Sequence, residues 1–452
     1  MKTIAILVML LSPFTFRAQQ PVFDSLRKRA AAETNDTEKV RLLVQLGNKI
    51  KFSDTAEAWR CQRRIDSIAA TAGNDYFKGQ AFFLTGTLLI GKDNFSALDA
   101  LEKSMVYFSQ YPGNKRAQLS SGSALINAGL VHYYNNDYAA AVDYFLRAEQ
   151  IYLKENPFSN DLAALYSNLS MAYSTLNKPE EALEISKKGI DFARKGSDKQ
   201  MLSNALFTYG GNLVAAKKGD SGLKVLDSAK KLAVELHNDN LAYMSDFMKA
   251  MYYYNNKMYE EAISNYTVCL RTAIQNNFAT GIGSNYLNIA ACEAELKRTK
   301  EAAAHLDSSA KYLDYSEPSE AKMEYFENYA QVYRLSGKYD KAFAFKDSVT
   351  AMKDSIYQRD NLRQMEFRQA RYNYDAKQLE VVRLENDKEV QRLQLSRKNT
   401  LNVILAGGAA VLILVSFLGF RNFKQKQVLQ QQRISELETE KKLAATEAVL
   451  KG

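Results

Sequence analysis

A chain of 452 residues with 46% hydrophobic and 25% charged residues has the composition of an ordered protein, which excludes a disordered one. Lys and Arg number 60 against 51 Asp and Glu, a net charge of +9. The excess is spread along the chain, so no strongly basic face points to nucleic acid.

The first segment, Met1–Gln20, carries one Lys2, an apolar run Ile4–Leu11, then Pro13 and a cleavage position near Ala18. That layout predicts a signal peptide over residues 1–18, too short to span a bilayer. Phe16 is larger than the small residue preferred before such a cut, which leaves an uncleaved anchor as the alternative. A secretory signal places everything up to about Thr400 outside the cytoplasm.

From about Asp36 to Val349 the chain repeats itself. A small residue recurs at Ala58, Ala97, Ala141, Ala182, Gly222, Ala262, Ala302 and Ala342, the last five steps being 41 and then four of 40. A second small residue stands twelve positions earlier in most units, at Gly129, Ser170, Gly210, Ala250, Ala290 and Ala330. Two helices approach closely only where their side chains are small, so the pattern predicts stacked helical hairpins. Phe145, Leu226, Tyr266 and Leu306 follow at the four-residue step that keeps one helix face buried. The three cysteines (Cys61, Cys269, Cys292) lack ligand-like spacing and read as small buried apolar residues.

These residues resemble the tetratricopeptide repeat (TPR), most closely in GLVHYYNNDYAAAVDYFLRA (129–148) and AQVYRLSGKYDKAFAF (330–345). The resemblance covers eight units over residues 36–349 and implies an all-α solenoid with longer helices than the usual 34-residue unit. In the TPR pattern, first-helix positions that avoid the packing residues line the inner surface. Mapped here they include Tyr133, Tyr134, Met171, Phe207, Met244, Phe247, Met251 and Tyr254. That aromatic and Met-rich set suits an apolar peptide or helix. The Lys and Asn with which some TPRs clamp a terminal carboxylate are replaced by Phe207 and Gly211, or Phe247 and Met251. The alternative is that the longer helices close the superhelix and these side chains pack against one another.

No Gly or Pro occurs from Lys338 to Ala406, so the second helix of the last unit is expected to run on through a connecting helix over 350–400. Leu379, Val382, Val390 and Leu393 suggest a coiled-coil seam that Asn386 and Glu389 interrupt. Leu401–Phe420 then carries no charged side chain over twenty positions. At about 1.5 Å per residue it is roughly 30 Å long, the thickness of a bilayer's hydrocarbon core. Arg397 and Lys398 precede it and Arg421, Lys424 and Lys426 follow, as expected of a transmembrane helix. Basic residues are balanced across it, so the signal peptide alone sets the direction of crossing. Residues 421–452 again read as helix, with Ile434, Leu437, Ala444 and Ala448 on one stripe.

The segment ELETEKKLAATEAVLKG resembles the juxtamembrane helix of TPR-containing membrane sensor histidine kinases of two-component systems. In that family the helix leads into a dimerisation helix bearing the phospho-accepting His and then an ATP-binding domain; here the chain stops at Gly452, where those parts would begin. His132, His237 and His305 all lie in the repeats, and neither a GxxxxGK[ST] loop nor a His-Glu-x-x-His pair occurs. The expectation is a non-catalytic, single-pass inner-membrane homodimer without cofactor or metal. It would bind a protein or peptide outside and relay its state inward. The rival readings are a membrane scaffold and the sensor half of a TPR-transmembrane transcriptional regulator.

Overall fold

The computed structural model describes residues 20–157, 159–196, 198–312 and 319–450; the predicted signal peptide lies outside them. The described residues form seventeen α-helices and no strand. Helix α1 (Gln20–Ala32) is followed by eight hairpins: α2 (Asp36–Ile50) with α3 (Thr55–Ala72), α4 (Asp75–Leu89) with α5 (Asn94–Ser109), α6 (Lys115–Tyr134) with α7 (Tyr138–Glu155), and α8 (Asn160–Thr175) with α9 (Pro179–Lys195). The remaining four pair α10 (Lys199–Ala215) with α11 (Gly219–Glu235), α12 (Asp239–Asn255) with α13 (Tyr259–Gln275), α14 (Ala279–Glu295) with α15 (Thr299–Ser309), and α16 (Glu320–Leu335) with α17 (Tyr339–Leu450). The chain divides into two compact units, Met1–Arg368 and Gln369–Gly452.

Within the first unit the small residues from Ala58 to Ala342 fall on the fourth position of the second helices, those from Ala58 to Ala302 all buried, and the set from Gly129 to Ala330 lies in the first helices. Gly129 shows why: a Cβ built there would stand 2.6 Å from Cε1 of Phe145. Most first helices begin on an Asn, Asp or Ser whose side chain accepts a backbone N–H, as Asn35 does for Glu38 and Asn238 for Leu241. The second helices α9, α11, α13 and α15 lack such a cap. Their turns are closed instead by a left-handed residue (Asn177, Lys217, Lys257, Lys297) and a backbone bond reaching back five positions, such as Met258 N–H to Tyr253 O at 2.9 Å.

Helix α1 was outside the predicted array. It buries Phe23, Leu26 and Ala30 on the first hairpin, and Arg27 pairs with Glu57 at 2.6 Å. The three cysteines are free and buried. Helix α17 starts as the second helix of the eighth hairpin, where Phe345 stacks on Tyr329 and Tyr333. The second unit is the remainder of that helix, with the described side chains of Leu401–Phe420 exposed along its length. Among the described residues, one helix is long and apolar enough to cross a membrane, by length and composition.

Candidate functional site

The eight candidate groove residues do not form one surface. Met244, Phe247 and Met251 are buried in a cluster with Tyr243, Tyr266 and Phe278, and Phe207 and Tyr254 pack against it half-buried. The Phe247 ring lies 5.5 Å from that of Tyr266, nearly edge-on, and 6.0 Å from that of Tyr243. Burial pushes the Tyr254 phenol up to about 12. Tyr133 belongs to a different cluster, with Met171 packed on it, and its hydroxyl meets Thr175 Oγ1 at 3.2 Å. Only Tyr134 of the eight is exposed, at 41%. The larger part of this aromatic and Met-rich set thus holds neighbouring hairpins together. The faces left to a partner are Tyr134 and the half-buried edges of Met171, Phe207 and Tyr254.

Polar groups inside the array were not singled out from the sequence. Asp246 is buried and takes Lys230 Nζ at 2.6 Å, the charged pair that makes its burial affordable. Asn285, fully buried, donates to the Tyr243 hydroxyl at 2.8 Å and to Gly281 O at 2.7 Å. Glu293 meets His305 Nδ1 at 2.7 Å. Lys230, Tyr243 and His305 each lie on a different helix from their mates, so only the repeat geometry brings those pairs together, whereas Gly281 is one turn back on the helix of Asn285 itself. His132 is buried, His305 half-buried, and His237 occupies a left-handed turn position. Among the described residues no three His, Cys, Asp or Glu side chains converge as a metal site.

Comparison with known proteins agrees with this architecture. A tetratricopeptide repeat family profile matches residues 120–195, which span α6 to α9. No curated protein matches the chain. A signal transduction ATPase with numerous domains from Pyrococcus horikoshii, which has a tetratricopeptide repeat sensor, superposes with a TM-score of 0.56 at 14% identity over 80% of this chain and 54% of that one. Aspartyl phosphate phosphatase F from Bacillus subtilis superposes at 0.50 with 12% identity, over 77% and 92% of the two chains. NprR in complex with its cognate peptide NprX gives 0.47 at 16% identity, over 74% and 89%. At these identities the likeness is one of fold: the chain is an all-α helical-repeat protein of tetratricopeptide type, the architecture of a protein-interaction module.

Proposed function

We propose that this chain is the sensing and transmitting part of a single-pass inner-membrane protein resembling a two-component sensor histidine kinase. Residues 1–18 direct export, the repeat array faces the extracytoplasmic side and binds a protein or peptide, and residues 421–452 lie in the cytoplasm. The chain works by binding and relay, not by catalysis.

The observation that carries this reading is the helix Tyr339–Leu450. It begins as packed repeat structure, becomes the uncharged Leu401–Phe420 and ends in a polar segment with a stripe at Ile434 and Leu437. A helix transmits tilt or rotation over such a length without unfolding, and Leu379, Val382, Val390 and Leu393, all exposed, offer a seam to a second copy. The test is disulfide formation between single cysteines placed at each position from 426 to 446 in membranes. The reading predicts maxima every three or four residues, at Ile434 and Leu437 among them; a flat profile contradicts a dimeric relay. A membrane scaffold would keep its partners after removal of 421–452, whereas a relay would lose its output.

A further inference from the structure

Within the first unit the array curls far enough for its last helix to meet an early hairpin. Phe367 of α17 sets its ring edge-on to that of His132 in α6, 5.9 Å between centroids and 87° between planes. His132 is stacked in turn on Tyr144 of α7 at 5.0 Å, and its Nδ1 lies 3.2 Å from Asp137 Oδ2. The Phe367 ring packs on the cluster that contains Phe83, Leu101, Phe108 and Val131. The face of α17 that turns inward is one stripe. Val349 and Met352 are buried, and Ile356, Gln364 and Phe367 are half-buried, at steps of three, four or eight. On its other faces Leu362 and Met365 stand bare, 56% and 69% exposed.

Past Ile356 the described positions of the seated stripe are Gln364 and Phe367, and the Phe367 ring is the apolar one of the two. Contacts at the margin of a packed array open at lower free energy than those of its core. We propose that His132 and Tyr144 form a helix-docking site whose resident occupant is Phe367 of this chain's own connecting helix. Release of that ring loosens residues 356–367 of α17, whose already exposed Leu362 and Met365 then pack on a second copy. The second half rests on the dimeric relay proposed above.

The test uses the full chain in lipid nanodiscs and compares wild type, Phe367→Ala and Tyr357→Ala, the last removing a ring that is 69% exposed on the same helix. Amide exchange over 356–367 is expected to quicken roughly tenfold in Phe367→Ala and to stay unchanged in Tyr357→Ala. In the same three proteins carrying Leu393→Cys, disulfide formation should shift severalfold in Phe367→Ala only. Unchanged exchange in Phe367→Ala overturns the docking site. Faster exchange with an unmoved Leu393→Cys rate overturns the coupling. Absence of cross-linking at Leu393→Cys in all three refutes the dimeric relay itself, and the exchange result then decides the docking site alone.

Discussion

Replacing Gly129 by Ala should loosen the third hairpin, although Ala is the better helix former by about 1 kcal/mol. The added Cβ would stand 2.6 Å from Cε1 and 2.8 Å from Cδ1 of Phe145, a ring with no exposed surface into which it could retreat. Overpacking of this kind costs about 1–3 kcal/mol, so the net change is a loss of about 1 kcal/mol. Phe145→Leu alone leaves a gap and costs about 1–1.5 kcal/mol. Together the two substitutions set Ala opposite Leu, the pairing that the seventh hairpin already buries as Ala290 and Leu306. The double variant should therefore lose less than the sum, with a coupling of about 1 kcal/mol or more. Repeat arrays open locally, so the assay is amide exchange of α6 and α7 in the full chain. The single tryptophan, Trp59, sits in the first hairpin and would not report on the third. Strict additivity, or a gain in stability for Gly129→Ala alone, would refute the packing argument.

Three further outcomes follow from named contacts. Lys257 holds φ at 60°, so Lys257→Gly should slow local exchange at the α12–α13 turn, a gain of about 0.5–1 kcal/mol once the flexibility of unfolded Gly is subtracted; a loss would contradict strain there. Lys230→Met strands the buried Asp246 carboxylate and should cost about 3 kcal/mol, most of it recovered in Lys230→Met/Asp246→Leu, as urea titration of the α11–α13 region by exchange would show. Burial pushes the Cys61 thiol up to about 11 and Cys292 up to about 12. An unfolded thiol ionises near pH 8.5–9, so the folded chain keeps a proton there that the unfolded chain releases. Stability should fall as pH climbs from about 9 to 11, and Cys61→Ala should flatten that slope in thermal melts.

The hairpin frame was legible because small residues at a fixed step have one geometric meaning: Ala182, Gly222 and Ala262 each mark the same place in a helix crossing. The turns were less so. Lys217, Lys257 and Lys297 carry no side-chain signature of a left-handed position, and the backbone bonds around them do the work of a cap. Helix α1 was missed, yet Phe23, Leu26 and Ala30 show the spacing of a one-faced helix within a stretch too short to stand out beside the signal-like segment. The groove assignment could not be decided from sequence. Whether Phe247 and Met251 face a partner or a neighbouring hairpin depends on how tightly 40-residue units wind, and the structure places both in the core. Contacts between distant units, Phe367 on His132 above all, have no local signal.

The proposed topology sets the repeats outside the cytoplasm, with one helix carrying their state through lipid. Protease added to intact spheroplasts expressing the chain with a tag after Gly452 tests it most directly. Digestion of the array, leaving a protected tagged fragment that holds Leu401–Phe420 and the segment after it, is the expected result; full-length protein that survives the protease and is digested only after lysis would rule this topology out.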